Sequence, residues 1–337
     1  MANGAHSTGS RQNDRMMLFA LASGRPFAEA VAARVDMPLA ALEERAFEDG
    51  EHKVRPLESV RDADVYVVHG LDGLAAESVN DRLCRVLFLV ATLRDHGAAR
   101  ITLACPYLGY ARKDRRTKPR DPVTTRYVAQ LLEAMGLDRA MALEVHNPAA
   151  FENAFRIPTL HLEACGPLAA AVLDEVGSAD ALAVVSPDTG GAKRAAALRD
   201  RLAERTGTEP PLAFLEKHRS EGVVSGDTVA GDVAGRTAVI VDDLIASGTT
   251  LVRAVRACRE RGAGTVIAAA AHGVFAGGAE RLFGAEGPDR LLVTNSVVPR
   301  LQDEWRGRVR VVPVEDLFAR AIGALHSGTS THAALGE

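Results

Sequence analysis

Nine short apolar runs recur along the chain, at residues 17–22 (MLFALA), 65–69 (VYVVH), 101–105 (ITLAC), 141–145 (MALEV), 182–186 (LAVVS), 212–215 (LAFL), 238–241 (AVIV), 266–271 (VIAAAA) and 291–294 (LLVT). Amphipathic stretches of helical period lie between many of them, at 77–96, 122–135, 166–176, 191–205 and 250–261. A strand with no polar face must be covered on both sides, and a helical crossover is the connection that returns the chain to start a parallel neighbour. The pattern therefore predicts an α/β fold of mainly parallel sheets flanked by helices. Both halves run through the same series of elements, so an internal structural duplication is expected, with its boundary near residues 155–166. The expected domains are 16–160 and 161–326, with polar, disordered tails at 1–15 and 327–337.

At 337 residues the chain is long enough for two cores, and 47% hydrophobic with 25% charged residues is ordinary for a globular enzyme. A formal charge of -4 argues against a general nucleic-acid binder. Cys84, Cys105, Cys165 and Cys258 are scattered without metal or disulfide spacing, which points to a reducing compartment. No apolar segment approaches the roughly 18–20 residues of a membrane span, and the polar N-terminus lacks the apolar centre of a signal peptide. A cytoplasmic location is the expectation.

The stretch 239–251, VIVDDLIASGTTL, carries the clearest chemistry. A strand-like run leads into Asp242 and Asp243, then into Ala246, Ser247, Gly248, Thr249 and Thr250, and a helical pattern follows. Small and hydroxyl residues let backbone N–H groups converge at a helix N-terminus, which makes a phosphate site. The two acids repel that phosphate, so they serve another part of the ligand: vicinal hydroxyls or a hydrated Mg²⁺. Hydroxyls at one end and phosphate at the other describe a pentose 5-phosphate.

Three further stretches end strands in the same manner. Residues 106–122 crowd Arg112, Lys113, Arg115, Arg116, Lys118 and Arg120 against only Asp114 and Asp121. They are either a polyphosphate site beyond a strand C-terminus or a solvated loop. In VVSPDTGGAKR (184–194), Lys193 and Arg194 occupy a first helical turn, where the macrodipole prefers acids. A bound anion is expected to compensate them, with Asp188 a Mg²⁺ ligand shared with nucleotide phosphates. His146, in LEVHNP, closes another strand. Neither a Walker P-loop nor a G-x-G-x-x-G fingerprint occurs. Residues 217–232 have no helical period and are expected to form a mobile loop or a hairpin beside the site.

These stretches, in order from about Phe47 to Thr294, resemble the ribose-phosphate diphosphokinases, also called phosphoribosyl pyrophosphate synthetases. The resemblance rests on FEDGE, PYLGYARKDR, DPVTTRYVAQLLEAMG, SPDTGG and VIVDDLIASGTTL. It implies two similar phosphoribosyltransferase-like domains and diphosphoryl transfer from Mg-ATP to the C1 hydroxyl of ribose 5-phosphate. It also implies a homo-oligomer. Phe47, Asp49 and Glu51 are similar to an adenine-contacting segment that often reaches a neighbouring subunit's site. Arg112, Lys113 and Asp114 would face ATP, and His146 and Asp188 would neighbour Mg²⁺. Lys217 and Arg219 match a catalytic K-x-R pair, and Asp242, Asp243, Ser247, Gly248, Thr249 and Thr250 would hold ribose 5-phosphate. The chain departs from the commonest pattern at Glu144, where the family often has Asp, at Lys113, where many members have Gln, and at Ala246, where an acid or hydroxyl is usual. A phosphoribosyltransferase or a non-catalytic regulatory paralogue are the alternative readings.

Overall fold

The computed structural model describes residues 15–73, 77–220, 223–299 and 301–336. Its first half runs β1 (Met16–Phe19), α1 (Arg25–Arg34), β2 (Leu42–Ala46), β3 (His52–Pro56), β4 (Asp64–Val68), α2 (Val79–Asp95), β5 (Arg100–Cys105), α3 (Thr124–Ala134), β6 (Arg139–Leu143), α4 (Pro148–Ala154) and β7 (Thr159–Leu162). The second half runs α5 (Cys165–Val176), β8 (Leu182–Ser186), α6 (Ala192–Thr206), β9 (Leu212–Ser220), β10 (Val223–Ala230), β11 (Thr237–Ile245), α7 (Thr249–Glu260), β12 (Thr265–Gly273), β13 (Arg290–Thr294), β14 (Val309–Val312), α8 (Glu315–Ser327) and α9 (Thr331–Leu335).

The duplication expected from the sequence is visible in the topology. One sheet has the order β1-β4-β5-β6-β7, all parallel, and the other contains β8-β11-β12-β13-β14 in the same parallel arrangement. In each half a two-stranded hairpin is inserted after the helix that follows the first strand. In the first half it is the separate ribbon β2–β3; in the second it is β9–β10, which extends the sheet through β8. Residues 217–232, expected as a loop or a hairpin, thus fall largely in a hairpin.

All nine apolar runs fall wholly or partly in strands, and several are covered on both faces: β4 and β8, for example, are buried along their whole length. Two elements depart from the expected boundaries. The division at residue 160 falls inside β7, which pairs with β6 and so belongs to the first half. The tail expected at 327–337 contains α9, capped by Ser330 and anchored by buried Leu335. Residues 1–14 of the expected N-terminal tail lie outside the described residues.

Among the described residues each half keeps a core of its own, and a third core is shared between them. Leu18, Tyr66, Met141 and Leu143 of the first half cluster with Val184, Val239, Phe318 and Ile322 of the second. Helix α8 packs on α1, where Phe27 and Phe318 meet edge to face at 5.4 Å. Below that contact, His326 binds the fully buried Asp64, which also pairs with Arg100. Among the described residues no helix is long and apolar enough to cross a membrane.

Candidate active site at the seam

The C-terminal ends of β6, β8 and β11 open on a common cavity of about 190 Å³. It is lined by Arg112, His146, Asp188, Asp242, Asp243 and the run Leu244–Leu251, so most of the residues singled out in the sequence converge. Strand β11 delivers the acid pair. Asp242 accepts the Asp243 N–H at 2.9 Å, and Asp243 accepts the Leu244 N–H at 3.0 Å, which fixes both carboxylates to their own backbone. The chain then turns at Gly248, whose φ of +75° and contact with Leu282 leave no room for a side chain: a Cβ there would lie 2.5 Å from Leu282 Cγ. Gly248 caps α7 without any side-chain hydrogen bond, so the helix presents its first N–H groups to the cavity.

Charge is arranged around the acids in a chain that crosses the seam. His146 Nδ1 and Asp243 Oδ2 are 2.6 Å apart. Arg194 Nη1 lies 3.7 Å from Asp242, while its Nε lies 3.4 Å from Glu144. Burial raises the proton affinity of Asp242 and adjacent Asp243 raises it further, with Arg194 opposing both. Burial acts to raise Asp243 too, but the bond from His146 and the charge of Arg194 outweigh it and hold that carboxyl below its ordinary range. The same bond to Asp243 raises the pKa of His146 against its burial. One acid of the pair thus holds its charge firmly and the other is poised to share a proton or a hydroxyl hydrogen.

Arg194 corrects one expectation. A bound anion was expected to compensate the cations in the first turn of α6, but Arg194 is compensated by the carboxylates of Glu144 and Asp242. Lys193 is exposed.

Most of the remaining predicted residues do not line the cavity. Lys113 turns away from it to pair with Asp121 at 2.6 Å, and Asp114 accepts a bond from Asn147 at 2.7 Å. Arg112, Arg115, Arg116, Lys118 and Arg120 are all exposed, and of this basic run Arg112 alone lines the cavity. Phe47, Asp49 and Glu51 lie at and beside the exposed turn of β2–β3, where Arg45 stacks over Phe47 at 4.8 Å and Asp49 accepts the Glu51 N–H. Lys217 and Arg219 sit on β9 opposite Asp227 and Val224; their side chains lie outside the described residues. Asp188 spends one carboxylate oxygen on the Gly191 N–H at 2.9 Å.

Two residues escaped the sequence reading. Arg281 donates to Thr249 Oγ1 at 3.0 Å and so places a cation beside the small-residue loop. It lies on a short 3-10 turn 32 residues downstream, with no local pattern to link it to that loop. His272, buried on β12, binds the Glu144 carbonyl at 3.1 Å and Ser296 at 2.8 Å, and burial keeps it neutral by lowering its pKa.

Comparison with known proteins gives the family. Residues 16–136 match the N-terminal domain of ribose phosphate pyrophosphokinase, and residues 221–334 the phosphoribosyl synthetase-associated domain. Ribose-phosphate pyrophosphokinase of Caldanaerobacter subterraneus is 35% identical over 95% of this chain and 98% of its own. The chain belongs to the ribose-phosphate pyrophosphokinase family. The Listeria ivanovii pyrophosphokinase is 34% identical over 94% of this chain and 96% of its own. The crystal structure of phosphoribosylpyrophosphate synthetase from Mycobacterium smegmatis superposes with a TM-score of 0.81 at 33% identity, covering 93% of this chain and 99% of that one. Membership in the pyrophosphokinase family makes the protein an enzyme and accounts for both halves, since the similarity spans the duplication.

Proposed function

We propose that this pyrophosphokinase transfers the diphosphoryl group of Mg-ATP to the C1 hydroxyl of ribose 5-phosphate, giving phosphoribosyl pyrophosphate and AMP. The observation that carries the reading is the junction of β11 and α7, where two hydrogen-bonded acids stand beside a helix N-terminus without a side-chain cap. The 5-phosphate fits the N–H groups of Ser247–Thr250, with Arg281 adding charge beside Thr249. The ribose hydroxyls fit Asp242 and Asp243, and Arg112 faces the triphosphate from the other half.

In the transfer, the bond from the C1 oxygen to the β-phosphorus forms as the bond from that phosphorus to the α,β-bridging oxygen breaks. AMP leaves with the electron pair, and the hydroxyl proton passes to solvent. Such a step depends on alignment and charge neutralisation, without a covalent nucleophile. Lys217 and Arg219, on the β9–β10 hairpin, are the proposed donors to the charge that develops. His146 and Asp188 offer an imidazole nitrogen and a carboxylate oxygen to the same cavity, a sparse donor set that fits a Mg²⁺ retaining water and phosphate ligands. Bound there, the ion would neutralise phosphate charge. Cytoplasmic location and assembly into a homo-oligomer belong to the same reading.

The deciding test is to incubate the protein with Mg-ATP and ribose 5-phosphate and identify the nucleotide product. AMP formed only in the presence of the sugar phosphate is the expected result. ADP, or no product, would overturn the reading, the latter in favour of a regulatory paralogue.

A further inference from the structure

We propose that Glu144 is a positioning residue for the sugar-phosphate site, holding Arg194 against Asp242 from across the seam between the two halves. The proposal rests on the reading of Asp242 and Asp243 as the partners of ribose 5-phosphate.

Glu144 follows β6 in a left-handed conformation, φ +41°, which a side chain of this length rarely adopts. It is buried, 6% exposed, and four contacts hold it there. Its N–H donates to the Leu162 carbonyl at 2.9 Å and its own carbonyl accepts from His272 at 3.1 Å. One carboxylate oxygen accepts the Ala164 N–H at 2.9 Å, at the start of α5, and the other lies 3.4 Å from Arg194 Nε. The strained backbone is thus pinned on both sides of the seam, and the side chain grips two helices of the second half at once.

The consequence falls on Arg194. Its guanidinium is 15% exposed and sits in a helix's first turn, where the helix dipole repels a cation. Glu144 takes one edge of it and Asp242 meets the other, so the position of Glu144 sets how closely the cation approaches the ribose acid. The carboxylate must reach Ala164 and Arg194 together. Aspartate, the commoner residue of the family pattern, is shorter by one methylene, roughly 1.5 Å. In this chain it would have to release one partner or pull the halves closer.

The experiment compares wild type, Glu144→Asp and Glu144→Gln in steady-state kinetics with both substrates, in calorimetric binding of ribose 5-phosphate, and in thermal unfolding. Glu144→Asp is expected to raise both KM and Kd for ribose 5-phosphate about ten-fold, leaving kcat and the KM for ATP within about two-fold. Glu144→Gln keeps the volume and an oxygen for the Ala164 N–H while removing the charge. It carries the same test should the shorter side chain prevent folding, and a several-fold rise in sugar-phosphate KM is expected. Combined with Arg194→Met, it should add nothing to the effect of Arg194→Met alone. A fall in unfolding temperature with unchanged sugar-phosphate affinity, or an equal loss towards both substrates, would make Glu144 a domain strut only and overturn the proposal. A wild type that forms no AMP would overturn the proposed reaction instead, and the binding measurement would still read Glu144.

Discussion

The two halves of the molecule repeat one plan, and they treat the turn after its fourth strand in opposite ways. In the second half that turn follows β11 and is left open: small residues, an αL glycine, and a helix whose N-terminus receives no side-chain cap. In the first half it follows β4 and is closed. Ser78 and Asp81 form a reciprocal capping box that satisfies the start of α2, and Asp72 and Glu77 clamp the buried guanidinium of Arg82. Counted from the last pair with the first strand of each sheet, Phe19↔Val67 and Val185↔Ile240, His69 occupies the place of Asp242. It is wholly buried, and burial together with Arg82 and Arg85 lowers its pKa to about 3, so it stays neutral. The fold thus offers the same strand-to-helix turn twice. One half leaves the N–H groups unspent, and the other spends them on its own side chains.

That contrast can be broken at several points. The largest expected effect is on the second half's hairpin: Lys217→Ala should lower turnover about 100-fold or more while calorimetric binding of ribose 5-phosphate stays nearly intact. Unchanged turnover would remove Lys217 from the catalytic group. At the first half's hairpin, Phe47→Ala should raise the KM for ATP about ten-fold, the loss of one base–aromatic stack, without moving the KM for the sugar phosphate. Equal KM values for wild type and variant would show that the β2–β3 turn does not read the nucleotide.

Ser78→Ala should lower unfolding free energy by about 1 kcal/mol in denaturant titration and leave both KM values alone, because α2 uses its cap for stability. A rise in either KM would blur the distinction between the halves. The smallest effect concerns His69. Its folded pKa lies below that of the unfolded chain, so its contribution is complete above pH 6.5 and is lost as pH falls towards the folded value of about 3. Stability should decline by about 1 kcal/mol between pH 6.5 and 5.5. His69→Gln should remove that part of the slope, and an identical slope in the variant would show that His69 titrates as it does in the unfolded chain.

The contrast also explains what the sequence could reveal. Runs such as VYVVH and LAVVS announce buried parallel strands because a two-sided burial leaves no polar position to confuse the pattern. The acid pair and small-residue loop at 242–250 were legible for a similar reason, since the chemistry sits in one contiguous stretch. The β2 and β3 strands, LEERA and HKVRP, were not: a ribbon solvated on most of its surface has no apolar period. Nor were the roles of Glu144, Arg194 and Arg281 legible, because their partners lie 20, 48 and 32 residues or more away and meet them only across folded elements. The sequence shows the helix turn that Arg194 occupies and not the strand ends it faces, so it suggests an anion where two carboxylates stand.

The packing of α8 on α1 has a consequence for how the chain is made. The first half leaves the ribosome as residues 16–162, but part of its core is completed by Phe318 and Ile322, and Asp64 waits for His326. At roughly 5–20 residues per second, the intervening chain takes on the order of ten to thirty seconds to emerge. During that interval the nascent first half stands with one apolar flank uncovered, until the last long helix arrives to close it.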